Sequence, residues 1–319
     1  MKVRSFTLGI VGTMVFDRIV PVVGDTFEGW GGVGYSVAGA AATLPSDWGI
    51  RLAIRVGKDL IHDARRVFST IPRCETHLVE AEEPSNRITI VYHDSERPTE
   101  ALSGGVSGWR VDELLDALEG CDTTLVNFIS GHELDLESIW EYRSRPSGMI
   151  YADLHSLFLH IELDGTRTQR PLHAWRPWLS CFDAVQMNQD EYGLLAGAPD
   201  GPRGLQELLK AGPRIASVTL GSGGVIVAYR TNGRSFVEEV NVQSQLFGDP
   251  TGCGHVWGAV MCGRLLDGMS GVDAAHVANR FAPASLDHRR MEGLVERLTD
   301  VPFDILGDSF LNSATEVEL

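Results

Sequence analysis

The residues with the clearest capacity for chemistry form a glycine-rich segment at 249–255 (DPTGCGH), directly before an apolar stretch with helical character. The first N–H groups of a helix have no partner within it, and Gly252 and Gly254 would let these donors converge. Such a nest, at the positive end of a helix dipole, suits a phosphate or the charge on a phosphoryl group in transfer. Taken alone, the segment is equally consistent with a glycine-rich turn capped by Asp249.

A second polar pair, Asn188 and Glu191, follows the apolar run 184–187. Asn188 can cap the helix that starts there, and Glu191 occupies the third position of the first turn, which is the pattern of a capping box. Locally, this structural interpretation is favoured. In the functional interpretation the two side chains position a hydrated Mg²⁺, an ion that prefers few protein ligands and several waters.

A third candidate is the segment 219–224 (TLGSGG), which ends one predicted strand and starts the next. Gly221 and Gly224 would let the backbone approach a nucleotide closely. A hairpin turn also needs glycine at positive φ, so this signal is weak by itself.

The order of elements predicts a scaffold that brings the three motifs together. Beyond residue 110, helical segments alternate with short apolar runs, which is typical of right-handed βαβ units and a parallel sheet covered by helices on both faces. Ligands bind beyond the carboxyl ends of such strands, where all three motifs lie. The predicted strands are 6–12, 50–56, 77–80, 87–93, 124–129, 149–153, 184–187, 215–220, 225–229 and 235–240, and the predicted helices are 35–44, 59–69, 111–118, 136–143, 172–181, 204–210, 254–266, 272–282 and 293–298.

The β-rich stretches before residue 110 do not follow this alternation. Segments within about 13–35 and 85–108 are therefore predicted to form a small β lid on a single domain that spans 1–319. An exposed edge strand of the lid could pair with a second copy to give a homodimer, since edge strands offer unpaired backbone groups.

In this order and spacing, the motifs N-x-x-E, T-x-G-x-x-G and D-x-T-G-x-G resemble those of the ribokinase-like, or PfkB-type, family of small-molecule kinases. The resemblance extends over most of the chain, because Asp17 and the segment 31–36 look like the family's substrate-binding elements. It implies an α/β fold: a three-layer αβα sandwich with a central, mostly parallel sheet and a small β lid. It also implies transfer of the ATP γ-phosphoryl group, with Mg²⁺, to a hydroxyl of a small sugar or nucleoside.

The resemblance further implies roles for individual residues. Asp17 would accept hydrogen bonds from substrate hydroxyls, and Gly32 would let the substrate lie against the backbone. The N–H groups of Gly252, Cys253 and Gly254 would form the anion hole. The other implied roles are Mg²⁺ binding through water for Asn188 and Glu191, nucleotide contacts for Thr219, Gly221 and Gly224, the adenine pocket for Asn279, substrate binding for Ser36 and Asp249, and a monovalent cation for Asp249 with Thr251.

The chain departs from the family pattern at two positions. His255 stands where the family has the Asp that takes the proton from the attacked hydroxyl, and Ser36 stands where it usually has Asn. The helix dipole favours a neutral imidazole at His255, which can accept a proton, and general-base help is worth roughly 10²–10⁴-fold. Histidine is longer than Asp and lacks its charge, so a second interpretation is a catalytically impaired protein that binds nucleotide or polyol as a sensor. The kinase is the favoured interpretation.

Composition disfavours several other classes of protein. The 319 residues include 27 Lys and Arg against 43 Asp and Glu, a formal net charge of −16, which argues against a nucleic-acid partner. The five cysteines form no C-x-x-C pair, which favours free thiols in the cytoplasm. No apolar run approaches the ~20 residues that span a membrane. A dinucleotide-binding oxidoreductase is also disfavoured, because Thr7 replaces the first glycine of the G-x-G-x-x-G pattern that Gly9 and Gly12 would complete.

Overall fold

The structure, a computed structural model, describes residues 6–93, 98–145, 148–199, 201–242, 250–286, 288, 291, 293–302 and 315–317. Asp249, a predicted site residue, lies outside the described residues. No helix in the described part of the chain combines the length and the apolar character that a membrane crossing requires.

The described residues form sixteen strands and ten α-helices. The strands are β1 (Phe6–Gly12), β2 (Met14–Val20), β3 (Phe27–Gly32), β4 (Trp48–Gly57), β5 (Cys74–Ala81), β6 (Arg87–Tyr92), β7 (Pro98–Ser103), β8 (Thr123–Asn127), β9 (Ile150–Asp153), β10 (Leu159–Ile161), β11 (Thr166–Gln169), β12 (Ala184–Asn188), β13 (Ile215–Thr219), β14 (Val225–Thr231), β15 (Arg234–Val240) and β16 (Thr315–Val317). The helices are α1 (Val33–Thr43), α2 (Ile61–Phe68), α3 (Val111–Ala117), α4 (Leu136–Arg143), α5 (Trp175–Ser180), α6 (Gln189–Gly193), α7 (Gly201–Ala211), α8 (Cys253–Leu266), α9 (Gly271–Phe281) and α10 (Leu294–Thr299).

Ten strands form the large sheet, in the order β16-β15-β14-β13-β12-β9-β8-β1-β4-β5. The seven strands from β13 to β5 in that order pair in parallel, and β14 to β16 add an antiparallel edge. Side chains of successive strand residues point to opposite faces, so Ile10 packs in one hydrophobic cluster with α1, α8 and α9, whereas Val11 packs in another with α3, α4 and α7. The predicted three-layer αβα fold class is confirmed.

Six strands form the small sheet, in the order β10-β11-β7-β6-β2-β3. The segments predicted to form the lid supply β2, β3, β6 and β7, and the predicted strand 87–93 corresponds to β6. Strands β10 and β11 were not predicted, because sequences as short as LHI and TRTQ show no apolar alternation. The predicted helix 172–181 is shortened to α5, where Pro177 lies in the first turn and so removes no intrahelical hydrogen bond.

Glu133 ties the end of β8 to the connection between the two sheets. Its buried carboxylate accepts hydrogen bonds from the Thr13 hydroxyl at 2.7 Å and from the backbone N–H groups of Ile129, Ser130 and Gly131 at 2.8, 2.6 and 3.0 Å. Several donors that face one carboxylate fix the geometry of this turn.

We predict that Glu133→Gln lowers the free energy of unfolding by roughly 2–4 kcal/mol, because the amide NH₂ would oppose a buried N–H donor. Glu137→Gln, on the exposed face of α4, is the matched control and should change stability by less than about 0.5 kcal/mol. Urea unfolding measures both. Equal stability of the two variants would contradict the role given to Glu133.

Candidate functional site

A cavity of about 940 Å³ lies between the small sheet and the carboxyl ends of strands in the large sheet. Its walls come from β2, β6 and β7 on one side, and from the ends of β9, β12 and β13 with the start of α8 on the other. A parallel sheet is expected to bind ligands at this edge.

The residues at the start of α8 line this cavity. Gly252 caps the helix with φ of 82° and ψ of −12°, a left-handed conformation that favours glycine. The Cys253 N–H donates to the Pro250 carbonyl at 3.0 Å, so this member of the predicted anion hole is engaged in the turn. The N–H groups of Gly254 and His255 meet no acceptor among the described residues. They are the donors most available to an anion.

Gly252 has a second reason to be glycine. A Cβ atom there would lie 2.5 Å from the ring of Tyr35, which α1 presents to the same cavity. The turn before α8 is therefore fixed both by its backbone conformation and by a close contact with α1.

Asn188 and Glu191 form a capping box at the start of α6. The Glu191 N–H donates to Asn188 Oδ1 at 2.9 Å, and the Asn188 N–H donates to Glu191 Oε2 at 2.7 Å. The structural interpretation of this pair is thus confirmed. Both residues also line the cavity.

The donor set limits how a metal could bind. No group of three or more His, Cys, Asp or Glu side chains suited to a metal occurs among the described residues. The oxygens of Asn188 and Glu191 already accept hydrogen bonds. These residues fit a hydrated Mg²⁺ held through its waters better than an ion that they coordinate directly.

His155 pairs with the other oxygen of Glu191, at 2.5 Å from Nδ1. Burial lowers the pKa of His155, but the adjacent Glu191 carboxylate and the charge of Glu100 outweigh burial and raise that pKa to about 9. His155 is therefore an imidazolium at neutral pH.

His255 lies on the first turn of α8, with its ring in the cavity wall. Its Nδ1 is 2.8 Å from Asp153 Oδ2, and the Asp153 side chain is only 5% exposed. The ring of His155 lies edge-on to the ring of His255, with centroids 5.9 Å apart. Two carboxylate–imidazole pairs, Asp153 with His255 and Glu191 with His155, thus lie side by side, with their rings adjacent.

Ser36 does not line the cavity, in contrast to its predicted role in substrate binding. It is buried on α1, accepts a hydrogen bond from the Asn127 amide, and donates to the His255 carbonyl at 3.4 Å. Ser36 therefore holds the start of α8 in place through its hydrogen bond to the His255 carbonyl.

On the predicted nucleotide side, Thr219, Gly221, Gly224 and Asn279 all line the cavity. The Asn279 amide is engaged within the protein, because its Oδ1 accepts from Trp257 Nε1 at 2.7 Å and its Nδ2 donates to a backbone carbonyl of β15 at 2.9 Å. Asn279 therefore shapes this wall by joining α8, α9 and β15.

The predicted substrate side contains Asp17 and Gly32, together with two residues that the sequence analysis missed. Arg167, on β11, donates to the Ile129 carbonyl at 2.8 Å and pairs with Glu100 of β7 at 3.3 Å. Two carboxylates and one guanidinium thus surround this end of the cavity.

Most of the predicted site residues meet in this one cavity. Among the predicted site residues that the structure describes, Ser36 is the one that does not line this cavity. The strongest missed signal is His155, since polar side chains just after a parallel strand point to the ligand edge. The sequence has no H-x₃-H spacing around His155, which disfavours a zinc site there but gives no information about pairing with a carboxylate. The predicted residues that line the cavity are Asp17, Gly32, Asn188, Glu191, Thr219, Gly221, Gly224, Gly252, Cys253, Gly254, His255 and Asn279.

Residues 165–292 match the model of the pfkB family of carbohydrate kinases. No curated protein matches the chain in sequence. The resemblance to the ribokinase-like, PfkB-type family is confirmed by this match and by the fold of solved structures that are similar to the chain.

Three solved structures illustrate the likeness in fold. A sulfate complex of a pyrophosphate-dependent kinase in the ribokinase family has a TM-score of 0.73 at 17% identity, over 88% of this chain and 95% of that one. A ribokinase from Thermotoga maritima has a TM-score of 0.71 at 15% identity, over 92% and 98%. A ribokinase from Arabidopsis thaliana, complexed with ribose and ATP, has a TM-score of 0.65 at 14% identity, over 92% and 99%.

We predict that Gly252→Ala is more destabilising than Gly268→Ala. Both glycines have φ near 80°, at 82° and 85°, so alanine costs about 1–2 kcal/mol at either position. A Cβ at Gly268 meets nothing within 4 Å, whereas at Gly252 it meets the Tyr35 ring, which adds about 1–3 kcal/mol. Urea unfolding of the two variants measures the difference, and equal losses would show that the Tyr35 contact is unimportant.

We also predict that the free energy of unfolding depends on pH above neutrality because of His155. Because its pKa is raised in the folded state, its pairing with Glu191 contributes fully below the ordinary value of 6.5 and is lost as pH rises through about 9. The free energy of unfolding should therefore fall over this window in the wild type and less in His155→Gln. NMR titration without added Mg²⁺ should place the His155 midpoint near 9, and a midpoint at or below 6.5 would refute the pairing.

Proposed function

We propose that the chain is a phosphotransferase that moves the γ-phosphoryl group of ATP to a hydroxyl of a small sugar or nucleoside. The observation that carries the proposal is the cavity itself, in which the free amides of Gly254 and His255 share a wall with the Asn188–Glu191 pair. Donors aimed at developing charge are what phosphoryl transfer requires, since its catalysis is mainly positioning and electrostatic stabilisation.

The acceptor molecule occupies the end of the cavity under the small sheet. The Asp17 carboxylate accepts hydrogen bonds from its hydroxyls, and Gly32 lets it lie against the backbone. At this end of the cavity, Asp17 and Glu100 are acidic and Arg167 is basic, which leaves one excess negative charge. This charge favours uncharged polyols over substrates that already carry a phosphate.

The phosphate donor occupies the other end. The glycine-rich loop at 221–224 offers close backbone approach, and Gly224 has φ of 99° with the β15 carbonyl of Val240 against it. Asn188 and Glu191 would hold a hydrated Mg²⁺ through its waters. When bound, Mg²⁺ neutralises charge on the phosphate oxygens.

His255 takes the proton of the attacked hydroxyl. The hydroxyl oxygen then forms a bond to the γ-phosphorus, the bond between that phosphorus and the bridging oxygen of ADP breaks, and the proton resides on the imidazole. The Gly254 and His255 amides stabilise the charge on the transferring group. His255 thus has the place of the family's Asp.

Other features support companion proposals. One hydrophobic cluster includes residues of both sheets, which supports a single domain. Among the described residues β3 forms one edge of the small sheet, which supports pairing with a second copy. All five cysteines are free, which supports a cytoplasmic location. A monovalent cation near Asp249 and Thr251 remains a prediction.

The test is a screen of sugars, nucleosides and their phosphorylated counterparts with Mg-ATP, read by ADP release and by the mass of the product. We expect an uncharged polyol to be phosphorylated and its phosphorylated counterpart to be a poor substrate. His255→Ala should lower kcat roughly 10²–10⁴-fold, whereas the exposed His132→Ala serves as the control and should retain activity.

A parallel screen replaces ATP with pyrophosphate, because a pyrophosphate-dependent kinase has a similar fold. Turnover with pyrophosphate alone would contradict ATP as the donor. Calorimetric binding of nucleotide or polyol without wild-type turnover would contradict the kinase proposal and favour the sensor alternative, especially if His255→Asp then created activity.

A further inference from the structure

We propose that Asp153 is a positioning residue that makes His255 competent as the general base of the proposed reaction. The inference rests on the proposed function and adds a second residue, which assists the general base. Its geometric basis is the 2.8 Å separation between Asp153 Oδ2 and His255 Nδ1.

The hydrogen bond fixes which ring nitrogen of His255 can accept a proton. An ionised carboxylate only accepts hydrogen bonds, and both oxygens of Asp153 do so: Oδ1 from the His155 N–H at 3.3 Å and Oδ2 from His255 Nδ1. The proton of the neutral ring is therefore on Nδ1, and the lone pair is on Nε2. His255 Nε2 has no hydrogen-bond partner among the described residues, and the residue lines the cavity.

Both partners are held rigidly. Asp153 ends β9, between β8 and β12 in the middle of the large sheet, and its carbonyl accepts from the Phe128 N–H at 3.0 Å. At the start of α8, Gln186 donates to the Gly254 carbonyl at 2.9 Å, and Ser36 donates to the His255 carbonyl. This rigidity matters because a base misplaced by about 1 Å can cost a hundredfold in rate.

Two side chains that can carry charge lie beside the ring of His255. The Asp153 carboxylate lies 2.8 Å from the ring, and His155, which is paired with Glu191, lies edge-on to it. The positive charge that forms on the ring during transfer is stabilised by the carboxylate of Asp153. The proton moves from the substrate hydroxyl to Nε2 and passes to solvent after the product leaves.

The experiment compares the wild type, Asp153→Asn, His255→Asp and the double variant. We expect Asp153→Asn to lower kcat roughly 10²–10⁴-fold with little change in KM, because an Asn side chain can bind the wrong tautomer. In the His255→Asp background the same change should alter kcat by less than about threefold, since a residue that acts through His255 has nothing left to position. Asp116→Asn, on the exposed face of α3, is the matched control.

Two readouts separate positioning from a structural role. The pH profile of kcat/KM should shift to lower pH in Asp153→Asn, because the lost carboxylate no longer favours the protonated ring. Nitrogen-15 NMR of the imidazole should show the Nδ1–H tautomer for wild-type His255 and its loss in Asp153→Asn. Should the Asn variant fail to fold, Asp153→Glu keeps the carboxylate while displacing it, and a reduced kcat with the Nδ1–H tautomer retained is then expected.

The outcomes distinguish this inference from the proposed function. If the wild type turns over substrate and Asp153→Asn has the same kcat, the role of Asp153 is overturned and the proposed function stands. Equal losses from Asp153→Asn in both backgrounds overturn it as well, since Asp153 would then act on the substrate directly. If the wild type has no turnover, the proposed function fails, and an Nε2–H tautomer in the wild type would overturn the positioning role independently.

Discussion

The first turn of α8 is the constraint on which the site depends. Helix geometry leaves its first N–H groups without intrahelical acceptors, and buried donors without partners are costly. The chain begins the helix with a left-handed Gly252 against Tyr35, and Gly254 and His255, whose amides have no acceptor among the described residues, line the cavity. A bound anion can satisfy these donors, so the local backbone geometry and the proposed chemistry have the same physical origin.

Features that depend on local sequence were predicted correctly. The alternation of apolar runs and helical segments gave the parallel sheet, and the bounds 6–12 and 136–143 agree with β1 and α4. The pattern N-x-x-E gave the Asn188–Glu191 capping box, since residues three apart on a first turn necessarily meet. Most of the cavity could be predicted for a related reason, because the carboxyl ends of parallel strands share one edge of the sheet.

Contacts between distant parts of the chain could not be predicted in this way. Asp153 and His255 are 102 residues apart, and their hydrogen bond depends on how β9 and α8 pack together. Ser36 was assigned to the substrate by its place in a motif, but packing of α1 against α8 directs its hydroxyl to the His255 carbonyl. The strand that carries Arg167 has only four residues, and its position depends on pairing with β7 and β10 rather than on its own sequence pattern.

His255, which stands where the family pattern has an Asp, disrupts the proposed reaction less with Asp153 beside it than it would alone. In the proposed reaction, an Asp at the start of α8 would place its negative charge directly beside an incoming phosphate, whereas an imidazole carries no negative charge that would repel that phosphate. The imidazole loses the charge that strengthens a carboxylate as a proton acceptor, but Asp153 lies 2.8 Å behind the ring and compensates for this loss. His155 and Glu191 together add no net charge to this balance, because the imidazolium offsets the carboxylate.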